Sequence, residues 1–280
     1  MTTDGTIPVG TEIRREVVVI TGTGGMGRAI ARRLGPSRAL LLADVDAAAL
    51  DSAAADLEAE GHAVATRQTD VSDPRAVAEL ATEADRLGPV RFLVHTAGLS
   101  PVQASPESIL GVDLLGVAYV LDAFTEVVAP GGAGVVIASM AGHMAPPIAP
   151  EDESALARAP AGELASLPCL AEIRSGDSGL AYAFAKRANI LRVRGVSSDW
   201  RRRGARINSI SPGVIATPMG MAELAGPTGD LMKSWVGGSP GKRLGTTDDV
   251  AAAAEFLLGP QAAYVSGTDL LVDGGTVAAL

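Results

Sequence analysis

The chain has 280 residues, of which 47% are hydrophobic and 20% are charged. This composition can bury a large core, so it excludes a disordered or collagen-like chain. The 23 Lys and Arg residues against 32 Asp and Glu give a formal charge of −9 at pH 7. Such a charge argues against a protein that holds phosphate backbones, and no nucleic-acid partner is expected.

The single cysteine, Cys169, has no partner for a disulfide within the chain, and no second thiol or histidine stands at metal-ligand spacing. We therefore expect a reducing compartment and no metal. Residues 1–15 lack the apolar core of a signal peptide and are interpreted as a polar N-terminal arm of a cytoplasmic protein. The longest uncharged stretch, residues 127–150, contains four Gly and four Pro. No membrane-spanning segment is predicted there.

Short runs of apolar and β-branched residues alternate with amphipathic stretches along the whole chain. The runs predict strands over residues 17–21, 39–43, 62–68, 90–96, 134–139, 206–211 and 268–272. The stretches predict helices over residues 25–34, 47–60, 73–87, 105–128, 179–203 and 247–258. Such an alternation indicates a single doubly wound α/β domain, with a parallel sheet flanked by helices.

Two segments interrupt this alternation. Residues 143–178 contain five prolines between short acidic and Ala-rich pieces, and they are interpreted as an insertion rather than a domain. Residues 218–240 mix Pro, Gly and Met with little periodicity. This second segment is either a lid that orders over a bound substrate or an ordinary mobile loop.

A glycine-rich loop follows the first predicted strand. Gly22, Gly24 and Gly27 fit the pattern G-x-G-x-x-G, and a predicted helix begins directly afterwards. In this context the loop brings backbone N–H groups against a pyrophosphate, so it predicts a dinucleotide site that also includes Gly25 and Met26.

Acidic residues close the next two predicted strands. Asp44 lies 22 positions after Gly22, where its carboxylate can accept hydrogen bonds from ribose hydroxyls. A 2′-phosphate beside Asp44 would meet a like charge, and residues 22–27 include no basic side chain, so NAD is favoured over NADP. Asp44 could instead cap the following helix, although Asp46 is the better candidate for that cap. Asp70 either bonds the adenine or caps a turn.

Tyr182 and Lys186 lie four positions apart in a predicted helix and therefore on one face of it. A free tyrosine has a pKa near 10. We expect the neighbouring ammonium group to stabilise the phenolate and to lower the pKa of Tyr182 toward neutrality.

The glycine loop, Ser139, the Tyr182 and Lys186 pair, and Asn208-x-x-x-Pro212-Gly213 together resemble the short-chain dehydrogenase/reductase family over about residues 15–275. The resemblance implies a Rossmann-type sheet and hydride transfer between a nicotinamide cofactor and a secondary alcohol or ketone. It also implies that Tyr182 is the general acid/base, that Lys186 lowers its pKa and holds the nicotinamide ribose, and that Ser139 bonds the reacting oxygen. Further cofactor contacts implied in this way are Val71, Ala97, Gly98, Pro212, Gly213, Ile215 and Thr217.

Two departures from the family pattern leave alternatives open. The glycine loop is one residue shorter than usual, and Asp113 stands where the family has a catalytic Asn. An ionised Asp accepts hydrogen bonds but donates none, so a proton relay through Asp113 would depend on backbone contacts. The alternatives to an NAD-dependent enzyme are an NAD-binding sensor with little turnover and an NADP-dependent ketoreductase.

The insertion at residues 143–178 resembles one in bacterial 3α-hydroxysteroid dehydrogenases, which makes a hydroxysteroid or another alicyclic alcohol a candidate substrate. The insertion could equally alter subunit contacts, because the family forms tetramers through the helices predicted at 105–128 and 179–203. We expect a homo-oligomer, either a dimer or a tetramer. His143 lies either at the rim of the site or away from it. His95 is expected within the fold, and the arginines near 192–206 are expected to form a solvated face.

Overall fold

The computed structural model describes residues 14–280 and contains one parallel sheet. Its seven strands have the order β3-β2-β1-β4-β5-β6-β7, so the chain winds outward in both directions from β1. The strands are β1 Val17–Thr21, β2 Ala39–Asp44, β3 Ala63–Gln68, β4 Val90–His95, β5 Val128–Ile137, β6 Arg206–Pro212 and β7 Asp269–Val272. The prediction of a doubly wound α/β fold in a single domain is confirmed.

Helices cover both faces of the sheet. The first six helical segments are α1 Gly25–Leu34, α2 Ala47–Ala59, α3 Pro74–Leu87, α4 Pro106–Ile109, a π-helical turn Leu110–Gly116 and α5 Val117–Val127. After β5 follow α6 Pro150–Arg158, α7 Ala161–Leu164, α8 Leu170–Ser175 and α9 Ser178–Arg202. The chain closes with α10 Pro218–Ala225, α11 Gly229–Gly238, α12 Thr247–Leu258 and α13 Thr276–Ala279.

The alternation of side chains along the strands explains the three layers. In β1, Val18 and Ile20 pack in the cluster that contains α1, α2 and α12. Val17 and Val19 pack in the opposite cluster, together with α3, α5 and α9. Both faces of the strand are therefore buried, which is why its sequence is apolar without a polar alternation.

The boundaries of β5 differ from the prediction. The strand begins at Val128 rather than at residue 134, because Val128 already pairs with Val90 of β4. A shift in register, at which Gly131 has φ +78°, separates this pair from the rest of the strand. It ends at Ile137, so Ser139 lies just beyond the strand. The predicted helix 105–128 is continuous but widens into the π-helical turn at its centre.

The insertion folds as part of the same domain. Its three helices bury Leu156, Leu170 and Ile173 in a cluster with α9, and Leu164 packs beside Ala118 of α5. Glu153 and Arg187 form an ion pair of 2.8 Å between α6 and α9. The insertion therefore covers the outer surface of α5 and α9.

Residues 218–240, where the sequence shows little periodicity, contain two helices. Helices α10 and α11 occupy most of this segment, and we call this pair the lid helices. Thr217 accepts a hydrogen bond from Gly220 N at 3.0 Å and so caps α10, with Pro218 in the first turn. Leu224 of α10 is buried beside Met140 and Val214, which fixes the helix to the body of the domain.

Two arginines of the predicted solvated face are not solvated. The Arg192 side chain is only 4% exposed and pairs with Asp122 at 3.0 Å. Arg206 donates to backbone carbonyls at the carboxyl end of α12, including Leu257 O at 2.7 Å. Both guanidinium groups are therefore held by acceptors of the protein.

One helical segment among residues 14–280, Pro106–Val127, is long and apolar enough to cross a membrane. In this fold 56% of it is buried, as in the core helix of a globular domain.

Candidate active site

A cleft of about 460 Å³ opens at the carboxyl ends of the central strands. This is the edge at which open α/β sheets bind their ligands, beside the strand where the winding reverses. Every nucleotide contact expected from the sequence lines this cleft: Gly22, Gly24, Gly25, Met26, Gly27, Asp44, Asp70, Val71, Ala97, Gly98, Tyr182, Lys186, Pro212, Gly213, Ile215 and Thr217.

The glycines of the loop have different roles. Gly22 has φ +88°, and a Cβ on Gly27 would lie 2.1 Å from the carbonyl oxygen of Gly22, so both positions require glycine for the turn itself. A Cβ on Gly24 would meet no atom within 4 Å. Gly24 therefore leaves open space at the wall of the cleft, where a phosphate can approach the backbone.

The amino-terminal end of α1 has no capping side chain. Asp46 and Asp73 cap α2 and α3, but the residue before α1 is Gly24, and its first turn contains no acidic residue. The exposed N–H groups of such a turn carry a partial positive charge that favours an anion. The loop and the helix therefore fit the pyrophosphate of a dinucleotide.

Asp44 lies at the end of β2 with its carboxylate held in place. Its Oδ2 accepts hydrogen bonds from the backbone N–H and the hydroxyl of Thr23, at 2.6 and 2.8 Å. Asp46 caps α2, as the sequence favoured, so Asp44 is not the cap. Asp70 accepts from Ser72 N and Oγ, which makes it a turn cap that also lines the cleft.

Lys186 is the one basic residue among the described residues that line the cleft. Arg28 follows the glycine loop directly, but its guanidinium is directed to Asp56, at 2.7 Å, and to the carbonyl of Ala49. The adenosine end of the cleft is therefore acidic and carries no cation for a 2′-phosphate.

Three candidate catalytic side chains meet at the other end of the cleft. Ser139 follows β5, and its Oγ accepts from Ala141 N at 3.2 Å, so it caps a short turn and also lines the cleft. Tyr182 and Lys186 lie in the second and third turns of α9, which Asp177 caps. The ammonium of Lys186 is 5.4 Å from the centroid of the tyrosine ring.

Asp113 forms an ion pair with Lys186. The π-helical turn places Asp113 in the interior without exposure to solvent, with Oδ2 at 3.0 Å from Lys186 Nζ. Its Oδ1 accepts from Leu99 N at 2.7 Å. Widened turns of this kind occur often at functional sites. The backbone contact expected from the sequence exists, but the ion pair with Lys186 was not expected.

The expected lowering of the tyrosine pKa was wrong in sign. Burial raises the pKa of Tyr182 above its ordinary value, and the charges of Asp113 and Glu223 raise it further. Lys186 and a hydrogen bond with Ser139 lower this pKa but do not offset those causes. Burial lowers the pKa of Lys186 itself, yet Asp113 and Tyr182 more than compensate, so it is raised.

The sequence analysis missed Glu223, a half-buried residue of α10 that lines the cleft. Its carboxylate accepts a hydrogen bond of 2.6 Å from the hydroxyl of Ser100. Leu99, Gln103, Val112 and Met219 also line the cleft and were not singled out. Only the general location of most of them, in segments 99–105 and 218–240, could be read from the sequence.

Of the two positions left open for His143, the structure shows the one away from the cleft. Its Nε2 lies 2.7 Å from Oδ2 of Asp269, at the start of β7. His95 is buried as expected, with Nδ1 at 2.7 Å from the hydroxyl of Thr21. Burial lowers the pKa of His95 to about 3, so the ring is neutral. Within residues 14–280 there is no cluster of His, Cys, Asp or Glu that could hold a metal ion.

The sheet, the glycine loop and the Ser139, Tyr182 and Lys186 cluster define a class of nucleotide-dependent oxidoreductases. The family model for short chain dehydrogenases matches residues 16–151, and that for enoyl-(acyl carrier protein) reductase matches residues 151–277. The chain belongs to the short-chain dehydrogenase/reductase family.

Several known members are similar along nearly the whole chain. The short-chain dehydrogenase/reductase bsc3 of Alternaria brassicicola is 40% identical, covering 95% of this chain and 97% of that protein. Galactitol 2-dehydrogenase (L-tagatose-forming) of Cereibacter sphaeroides is 33% identical, and the match covers 91% of this chain and 92% of that protein. The 3-alpha-hydroxysteroid dehydrogenase/carbonyl reductase of Comamonas testosteroni is 32% identical, and the match covers 78% of this chain and 88% of that protein. The crystal structure of levodione reductase superposes with a TM-score of 0.74 at 28% identity, and the match covers 95% of this chain and 98% of that chain.

Proposed function

We propose that the protein is an NAD-dependent oxidoreductase that interconverts a secondary alcohol and a ketone. The observation that supports this most directly is one continuous cleft. It runs from the uncapped end of α1 and Asp44 to Ser139, Tyr182 and Lys186. A dinucleotide that spans this distance brings its reactive ring beside the phenol.

The chain's own residues supply orientation and the proton, while the nicotinamide accepts or donates the hydride. Ser139 hydrogen-bonds the reacting oxygen of the substrate. Tyr182 gives a proton to that oxygen in reduction and takes one in oxidation. Lys186 holds a positive charge beside the phenol and is itself held by Asp113.

The protonation state of Tyr182 affects how the rates of ketone reduction and alcohol oxidation depend on pH. Its raised pKa keeps the phenol protonated at pH 7, which is the form that acts as general acid. Ketone reduction therefore proceeds at neutral pH, and alcohol oxidation becomes fast only as the pH rises.

NAD preference rests on Asp44. Its carboxylate, oriented by Thr23, is suited to accept ribose hydroxyls, and a 2′-phosphate would lie beside this negative charge. Arg28 is occupied by Asp56 and the carbonyl of Ala49. An NADP-dependent ketoreductase would need a cation that this end of the cleft does not offer.

A thermal-unfolding experiment tests the nucleotide site without a choice of substrate. We expect saturating NAD to raise the Tm and NADP to raise it little, because a ligand at 100 times its Kd adds about 2.7 kcal/mol of stability. Asp44→Ser should reduce the shift with NAD and increase that with NADP. Asp46→Ser, which changes the neighbouring cap, serves as the control. An absence of any shift with both nucleotides in the wild type would refute the proposed site.

The insertion does not line the cleft, since none of residues 143–178, all described, is among its walls. The position of the insertion therefore does not favour a steroid over other substrates. The similar proteins named above act on galactitol, on 3α-hydroxysteroids and on levodione according to their names. We propose secondary alcohols of these kinds, including alicyclic alcohols and hydroxysteroids, as the substrates with which to measure NADH formation.

We also propose that the protein is a homodimer rather than a tetramer. The insertion covers α5 and α9, as described above. In contrast, Phe256, Tyr264 and Leu271 are exposed around β7, an edge strand of the sheet. A second copy that covers this apolar edge would bury it.

The oligomeric state follows from the molar mass in solution. We expect light scattering on a sizing column to give about twice the 28.3 kDa of one chain. Replacing Tyr264 and Leu271 by Asp should shift the mass toward the monomer. Replacing the exposed Leu231 of the lid helices by Asp should leave it unchanged. A tetramer that is insensitive to Tyr264 and Leu271 would contradict the proposal.

A further inference from the structure

Glu223 introduces a negative charge at the substrate end of the cleft that the catalytic cluster does not use. It lies on α10 and lines the same cavity as Ser139, Tyr182 and Lys186. Within residues 14–280 no basic side chain forms an ion pair with it, because the ammonium of Lys186 is paired with Asp113 at 3.0 Å. Glu223 therefore adds a negative charge to this end of the cleft.

The carboxylate is fixed rather than free. Ser100 is completely buried, and its hydroxyl donates to Oε1 of Glu223 at 2.6 Å. This bond joins the segment after β4 to the first of the lid helices across 123 positions of sequence. A half-buried carboxylate with a single neutral donor still has acceptor capacity that a ligand can fill. A group held in this way can select substrates because it loses little freedom on binding.

We propose that Glu223 receives a second hydroxyl group of the substrate and so selects diols and hydroxyketones over simple alcohols and ketones. This inference rests on the proposed oxidoreductase function. The remaining walls near Glu223 are Leu99, Gln103 and Met219, which offer apolar surface and one neutral amide. A hydroxyl group on the carbon beside the reacting centre completes the hydrogen bonding of the carboxylate without a charge to desolvate.

The same carboxylate disfavours two other classes of substrate. An acid group at this position, as in a 2-hydroxy acid, would place two negative charges together. An ammonium group would form an ion pair but would first lose its hydration, which costs several kcal/mol in a cleft of this kind. The neutral diol avoids both penalties.

Matched pairs of substrates test the assignment on the full-length enzyme with NAD. The pairs are meso-2,3-butanediol with 2-butanol, and trans-1,2-cyclohexanediol with cyclohexanol. We expect the wild type to have the higher kcat/KM for each diol. In Glu223→Leu the ratio of diol to simple alcohol should fall about 10- to 100-fold, the range for a hydrogen bond to a charged group. Glu223→Gln, which keeps an acceptor of the same shape, should give an intermediate ratio and should increase turnover of lactate.

Two further variants distinguish a loss of substrate selection by Glu223 from a general disturbance of the lid helices. Asp230→Asn removes a fully exposed carboxylate of α11 and should leave the ratio as in the wild type. Ser100→Ala removes the donor that holds Glu223 and should lower the ratio, by less than Glu223→Leu does. Thermal unfolding of each variant with and without NAD shows whether the fold and the nucleotide site are intact.

The outcomes distinguish this inference from the proposed function. Turnover of the simple alcohols with an unchanged ratio in Glu223→Leu would overturn the role of Glu223 and leave the oxidoreductase intact. A higher kcat/KM for 1-amino-2-propanol than for 1,2-propanediol would replace the diol by a cationic substrate and overturn the assignment. Binding of NAD without turnover of any alcohol in the panel would overturn the oxidoreductase function, and the role of Glu223 with it.

Discussion

Tyr182→Phe should lower kcat/KM for alcohol oxidation and ketone reduction by several orders of magnitude. The phenol hydroxyl is the group that exchanges a proton with the reacting oxygen, and general acid–base catalysis alone contributes about 10²- to 10⁴-fold. NAD affinity should remain within a few-fold, because the hydroxyl is not needed to hold the pyrophosphate or the adenosine. Steady-state kinetics and fluorescence titration with NADH measure the two quantities separately.

The pH profile is a second measurement on the same group. Since burial, Asp113 and Glu223 raise the pKa of Tyr182, oxidation should increase with pH toward a midpoint above the ordinary tyrosine value of about 10. Reduction should be independent of pH near neutrality, where the phenol is protonated. Turnover in Tyr182→Phe equal to that of the wild type would contradict the assigned role. Oxidation that saturates below pH 8 would contradict the raised pKa of Tyr182 but not its role. Binding of NAD without turnover in either protein would instead favour a sensor.

Asp113→Leu should destabilise the fold by about 3–5 kcal/mol, the range for removing one partner of a buried ion pair. Lys186 is 4% exposed, and Asp113 is not exposed at all, so the ammonium would lose its counter-ion without gaining water. The free energy of unfolding in urea measures this loss. The double variant Asp113→Leu, Lys186→Met should recover most of it, because no buried charge is then left unpaired.

A matched control uses the more exposed ion pair of the same helix. Glu153 pairs with Arg187 at 2.8 Å, but both side chains are about a third exposed. Glu153→Leu should therefore change the free energy of unfolding by less than about 1 kcal/mol. An equally small change in Asp113→Leu would mean that Lys186 is not held as an ion by Asp113.

Asp113→Asn removes the charge of this side chain but keeps its shape. The amide oxygen can still accept from Leu99 N, so the turn is retained, while the negative charge that raises the pKa of Tyr182 is removed. Without that charge the pKa of Tyr182 should fall, and the midpoint of the oxidation profile should move to lower pH. Movement to higher pH, or none, would show that Lys186 and Glu223 dominate the titration of the phenol.

The residues that local spacing determines were predictable from the sequence. The glycine loop must follow a strand and begin a helix, and a phenol and an ammonium four positions apart must share a helix face. Asp44 ends a strand whose apolar run is visible in the sequence. The order of elements and the position of the nucleotide site therefore follow from periodicity and from turn chemistry.

Other parts of the site depend on contacts between distant segments. The ion pair of Asp113 with Lys186, the bond of Ser100 with Glu223, and that of His143 with Asp269 each join residues from separate elements. Local patterns contain no information on these partners, which is why Glu223 was missed and the position of His143 was left open. The burial of Arg192 was missed for the same reason, since helices of the insertion cover that face of α9.

The sequence by itself determined the fold, and it predicted the candidate nucleotide and catalytic residues that line one cleft, because these depend on the periodicity and spacing of neighbouring residues. Only the tertiary structure decided the charge balance around Tyr182. The pKa of that phenol depends on desolvation and on charges brought together from the π-helical turn, α9 and α10. These electrostatic effects oppose one another, so the direction of the net change in pKa required the three-dimensional arrangement.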